Sequence, residues 1–264
     1  MRKFVIPIGL LLVLLVAALP AGAITWGQLD TAHPFVGAMV VDWPDYGPWQ
    51  LCSGTLIHPQ VVLTAGHCTY DLDDIGITTV WVNFDPYALN PDTLLEVSEW
   101  VTHPEFDWAE ADKHDVGALI LAEPVTDIMP AALPVEGFLQ QLKRDGLLRQ
   151  KMDGAPFTVV GYGGSLDWPP PDIWYDDMRQ YAESEYVAIT PVWLHMNQHI
   201  LKDNAGTCFG DSGGPAFWTE PDGTEILVGI TSTGDAQCIV TGLDYRVDIP
   251  QTLDFIDGVI GSLP

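Results

Sequence analysis

The chain has 264 residues, of which 36 are acidic and 10 basic, giving a formal charge of −26 at pH 7. A surface this negative repels nucleic acid and anionic bilayers, so neither is expected as a partner. The length suits a single large all-β domain with ample apolar material for a core.

Residues 1–23 read as a secretory leader. Arg2 and Lys3 form a positive start, residues 4–19 an apolar stretch, and Ala21-Gly22-Ala23 a small-residue cleavage site. The apolar stretch is short for a bilayer span of about 20 residues, and no later stretch is long enough. A retained anchor is therefore the weaker reading. The processed chain, residues 24–264, is expected to be secreted, soluble and monomeric, free of any membrane.

From Phe35 onward, short apolar and β-branched runs recur with turn residues between them: 35–41, 56–62, 79–84, 116–121, 157–160, 226–231 and 245–247. That spacing predicts an all-β barrel or sandwich. Two helices interrupt it. One covers 136–148, with Phe138, Leu139 and Leu142 on one face; the other covers 250–260 and packs Leu253, Phe255 and Ile256. Residues 166–174, rich in Pro and Trp, read as a surface loop that borders a cleft or is simply a loop. The acidic stretch 83–99 has no defensible ligand spacing, so no metal or other cofactor is expected.

The chemistry concentrates in Cys208-Phe209-Gly210-Asp211-Ser212-Gly213-Gly214-Pro215. A serine hydroxyl attacks only when a base takes its proton and nearby donors catch the oxyanion. Glycines on both sides leave Ser212 accessible and let the backbone aim N–H groups at one point. A bare glycine-rich hairpin is the bland alternative, but a base and an acid lie upstream. His67 follows the run 56–62, in Thr64-Ala65-Gly66-His67-Cys68, at the end of a predicted strand. Asp115 opens Asp115-Val116-Gly117-Ala118-Leu119, a carboxylate leading into a strand apolar enough to be buried on both faces. The other histidines (33, 58, 103, 114, 195 and 199) have no comparable context. The order His, Asp, Ser is one of several in which this triad occurs. An α/β-hydrolase would need G-x-S-x-G and the serine first.

Four cysteines, 52, 68, 208 and 238, allow three pairings, and in an exported chain they are expected to be bridged. Zinc is the competing reading, without a C-x-x-C spacing to support it.

These three segments together resemble the signatures of the chymotrypsin/trypsin-like serine proteases, most closely the secreted bacterial branch. The likeness runs from Ile24 to the C-terminus and includes Ser232-Thr233-Gly234 and Tyr245-Arg246-Val247. It implies two packed six-stranded antiparallel β-barrels, with halves near 24–130 and 131–264, the helix at 136–148 between them and a C-terminal helix. The polypeptide substrate would be cleaved by the triad His67, Asp115 and Ser212, with backbone N–H groups of Gly210 and Ser212 as the oxyanion hole. The resemblance also implies disulfides Cys52–Cys68 and Cys208–Cys238. A family relative that has lost catalysis and acts as a binding module is the alternative, and it usually lacks a triad member.

Two finer expectations rest on the same likeness. The α-amine of Ile24, freed by leader removal alone, would pair with Asp211, so that no separate zymogen step is needed. The specificity pocket would have Gly206 and Thr207 at its floor, Gly234 and Gly242 on its walls, and Ser232 bracing Asp115. Where trypsin-type members carry an aspartate, Gly206 stands, which favours a large apolar or aromatic side chain. Asp244, where a tyrosine is usual, and Asp235 near the rim argue instead for Arg or Lys.

Overall fold

The computed structural model describes residues 24–25, 27–150, 156–166, 173–199 and 204–263. The leader reading at 1–23 lies outside them.

The first barrel is built from β2 (Val36–Trp43), β3 (Gly47–His58), β4 (Val61–Thr64), β5 (Val80–Asn83), β6 (Leu95–Thr102) and β7 (Gly117–Leu121), closed in the order β2-β3-β4-β7-β6-β5. Val36, Val40, Val41, Leu56, Val82 and Leu119 are fully buried there, so the β-branched runs supply both strand preference and core. The run 56–62 is not one strand. Pro59 and Gln60 turn the chain between β3 and β4, as expected of a residue that cannot donate to a ladder.

The second barrel uses β8 (Phe157–Gly161), β11 (Gln180–Ile189), β12 (Trp193–Asn197), β13 (Pro215–Thr219), β14 (Glu225–Gly234) and β15 (Thr241–Arg246). Its order is β11-β12-β15-β14-β13-β8, closed by pairing of β11 with β8. The fold is thus the two closed six-stranded antiparallel barrels that the resemblance implied. A short β9 (Ser165–Leu166) pairs with β10 (Ile173–Trp174); residues 167–172 of the expected loop lie outside the described residues.

Both chain ends cross between barrels. The first strand, β1 (Gln28–Leu29), pairs with β11, and Thr25 bridges Gly206, so the described N-terminal segment belongs to the second barrel. The last helix, α3 (Pro250–Gly261), buries Thr252, Ile256 and Val259, and its Phe255 ring lies 5.4 Å from that of His103, which follows β6. Leu253 is only half-buried, because the inward stripe runs through 252, 256 and 259. The inter-barrel helix is shorter than predicted, α2 (Phe138–Arg144). Gly137 and Gly146 take positive φ at its two ends, and the Leu139 N–H is capped by Asp248 Oδ2 at 2.8 Å. Asp248 in turn holds the fully buried Arg246 at 2.8 Å. Among the described residues, no helix is long and apolar enough to cross a membrane.

Candidate active site

The register of the first barrel joins the base to its acid. Thr64 at the end of β4 pairs with Gly117 at the start of β7. His67 sits just past that end, on the single turn α1 (Gly66–Thr69), and Asp115 just before that start. The Asp115 carboxylate therefore accepts the His67 backbone N–H at 2.9 Å through Oδ1, and meets Nδ1 at 3.0 Å through Oδ2. Oδ2 also accepts a short bond from the Ser232 hydroxyl. Asp115 is fully buried, which by itself opposes ionisation. The bonds from His67 and Ser232 outweigh that penalty and hold its carboxyl below the usual range, so it stays charged.

Ser212 reaches the same place from the second barrel. Its loop is held at each end: Cys208 is bridged to Cys238, and Gly213 N–H bonds Thr231 O of β14 at 2.8 Å. Across the barrel interface, Ser53 N–H bonds Ser212 O at 2.8 Å, while Ser53 Oγ and Gln50 Nε2 both donate to Gly210 O, at 3.0 and 2.9 Å. Gly210 has φ +95°, and a Cβ there would lie 2.8 Å from the Gly163 Cα, so no other residue fits the turn. Phe209 O accepts the Gly164 N–H at 2.7 Å and Asp211 O the Gly214 N–H at 2.8 Å, so the N–H groups on the other side of those two peptides, of Gly210 and Ser212, point the opposite way, and neither has an acceptor among the described residues. Two outward N–H donors beside a serine are what an oxyanion needs.

His67 and Ser212 line the same cleft of about 240 Å³, together with Trp108, Ser232 and Gly234. They also line a second cleft of about 260 Å³, walled by Trp49, Tyr175 and Phe209. Both residues thus line both clefts, and no hydrogen bond joins the hydroxyl to the imidazole. Such contacts in unliganded sites are often long and tighten when substrate excludes water. The Trp108 ring lies 5.2 Å from that of His67 and carries the Lys113 ammonium at 4.3 Å.

The cysteines pair as Cys52–Cys68 and Cys208–Cys238. The sulfurs of Cys52 and Cys68 lie near His67, but they are spent on each other and leave no thiolate there for a metal.

Other expected site residues are distributed differently. Thr207, Ser232 and Gly234 line the first cleft, with Asp235 at its edge. The Asp235 carboxylate accepts the N–H groups of Ile239, Val240 and Thr241, so it caps its own loop. Gly206 and Gly242 are not in the cleft wall, and neither is Asp244. Asp244 is fully buried, both its oxygens lack a hydrogen-bond partner among the described residues, and burial pushes its carboxyl up to about 8. Ile24 is fully buried, yet its N–H meets Gln180 Oε1 at 3.4 Å and not Asp211. In this uncleaved chain that nitrogen is an amide, which has no charge to offer. The Asp211 oxygens accept the N–H groups of Gly163 and Cys208, both at 2.8 Å, and burial pushes the group up to about 8.

The sequence profile described as Trypsin matches residues 28–256. The chain belongs to the trypsin family of serine proteases. It is 27% identical to a CLIP domain-containing serine protease B15 of Anopheles gambiae, over 87% of this chain and 66% of that protein. It is 29% identical to vitamin K-dependent protein C of Mus musculus, over 81% of this chain and 49% of that one. A tryptase of Mus musculus is 28% identical over 71% of this chain and 75% of the relative. The chain thus spans about two thirds of the first of these relatives and half of the second. These relatives are insect and mammalian, and they give no support to the bacterial branch that the motifs suggested.

Proposed function

We propose that this trypsin-family chain is a secreted serine endopeptidase acting on polypeptides through His67, Asp115 and Ser212. Ser212 Oγ forms a bond to the scissile carbonyl carbon as His67 Nε2 takes its proton. Gly210 and Ser212 N–H groups hold the resulting oxyanion. Collapse breaks the C–N bond, and the proton passes from His67 to the leaving amine. Water then repeats the sequence and releases the acid, with Asp115 keeping Nδ1–H oriented throughout.

The observation that carries this reading is the buried, charged Asp115 bonded to both the backbone and the ring of His67, in a cleft that Ser212 shares. Hydrolysis of an unfolded protein substrate by the secreted chain, abolished in Ser212→Ala, tests it; an equally active variant would refute it.

Leader removal before Ile24 would create the amine that Asp211 lacks. Support comes from Ile24 being already seated in the second core and from Asp211 being buried with no cation against it among the described residues. We favour an uncharged over a basic side chain before the scissile bond, because Asp235 is committed to its loop and Asp244 is sealed from the cleft.

A further inference from the structure

Gln198 follows β12, and its backbone N–H bonds Val240 O at 3.1 Å. The residue is 2% exposed, and its side chain donates from Nε2 to Thr207 O at 3.2 Å. The carboxamide lies directly on two glycines. A Cβ placed on Gly206 would fall 2.2 Å from Gln198 Oε1 and 2.4 Å from its Cβ, and one on Gly242 would fall 3.1 Å from Oε1. This contact accounts for the cleft wall: Thr207 and Gly234 line it, whereas Gly206 and Gly242 are covered. Space that glycines would have left open for a long side chain is filled from below by an amide.

We infer that Gln198 is the specificity-determining residue of this protease, closing the floor of the primary pocket so that it accepts small uncharged side chains. The inference rests on the serine protease reading of the same site. The small groups Thr207, Ser232, Thr233, Gly234 and Ala236 line the cleft together with Trp108, Phe209 and Asp235, whose carboxylate is held by the N–H groups of its own loop. An aromatic ring would collide with the carboxamide. Lys or Arg would meet a neutral amide and not a carboxylate, because Asp244, two residues beyond Gly242 on the same face of β15, is wholly buried. Moving Gln198 aside would break its bond to Thr207 and leave that carbonyl unpaired.

The test uses mature protein expressed from the full chain and peptide p-nitroanilides differing only in the residue before the anilide: Ala, Val, Phe or Arg. Ala or Val is expected to exceed Phe and Arg in kcat/KM by about tenfold or more, the scale on which pocket volume discriminates. Gln198→Ala is expected to raise the ratio of Phe to Ala kcat/KM about tenfold. Gln198→Asn, which keeps the amide but is shorter, should give an intermediate ranking and serves if the alanine variant does not fold. Wild-type preference for Phe or Arg, or a ranking unchanged in both variants, would overturn the role of Gln198. Labelling of Ser212 by a small organophosphonate separates the two levels: a labelled enzyme with the wrong ranking refutes only Gln198, whereas an unlabelled folded protein refutes the protease reading and the pocket with it.

Discussion

Ser53 Oγ donates to the Gly210 carbonyl at 3.0 Å while accepting the Tyr162 N–H at 3.0 Å, so one hydroxyl of the first barrel orients the oxyanion loop of the second. That carbonyl belongs to the Gly210–Asp211 peptide, whose Asp211 N–H bonds Cys208 O at 3.1 Å, so the bond fixes the one peptide that lies between the two proposed oxyanion donors. Ser53→Ala leaves Gln50 as the remaining donor to that carbonyl. The expected result is a kcat about tenfold lower with KM nearly unchanged, a fraction of the 10²–10³-fold seen when a donor is lost outright. Steady-state kinetics check this; a change confined to KM would contradict it.

Asp115→Asn preserves shape but removes the charge and allows the wrong His67 tautomer. The proposed mechanism predicts a fall in kcat of about 10⁴-fold near neutral pH. Ser232→Ala removes one bond to Asp115 and should have a much smaller effect on kcat. Equal losses in the two variants would mean that Ser232 does more than brace the carboxylate.

The start of the mature chain gives a third prediction. N-terminal sequencing of active secreted protein should read Ile24-Thr25-Trp26-Gly27. If the proposed pair forms, one extra residue before Ile24 would keep the amine from Asp211 and cripple activity, since an unpaired buried charge costs about 3–5 kcal/mol. An active enzyme beginning upstream of Ile24 would remove the activation pair from the account.

Stability should fall as pH rises from mildly acid to alkaline. Asp244 is uncharged at low pH; burial pushes it up to about 8, so the folded state holds its proton more tightly than the unfolded chain does. Its contribution is full below about 4, the unfolded value, and is lost as pH rises toward 8. His33 acts in the same direction. Burial lowers it, but bonds to Asp30 and Glu225 prevail and push it up to about 9, so its stabilisation is full below about 6.5 and lost through 9. Comparing Asp244→Asn with the parent, both carrying Ser212→Ala against autolysis, isolates one group from the general repulsion of an acidic chain. The Tm difference should be near zero at pH 4 and favour Asn by several degrees at pH 9, at about 2–4 °C per kcal/mol. A difference independent of pH would contradict burial of an ionisable Asp244.

Much of this was legible in the sequence, and the gaps have physical causes. The strands 117–121 and 157–161 announce themselves because both faces are buried. By contrast β6, with Glu96 and Glu99 exposed, and β11, with exposed Glu183, dilute their apolar content and were not anticipated. Pro59 hides a hairpin inside what looks like one run. The residues of the proposed triad carry local motifs, and the disulfide pairing followed from the resemblance. Gln50, Ser53, Trp108 and Gln198 carry none, since each reaches the site only through tertiary packing. Cys52 beside Ser53 was the one nearby signal, because its bridge to Cys68 ties that strand to the histidine turn. Glycines 206 and 242 were read as open space, and only coordinates reveal the amide lying over them.

The central claim is that His67 activates Ser212 in the folded chain. Mass spectrometry after treatment with a fluorophosphonate should find one adduct, on the peptide containing Ser212, in the parent protein and none in His67→Ala. A folded, disulfide-bonded parent that stays unlabelled, or one labelled equally with His67 removed, would contradict the account.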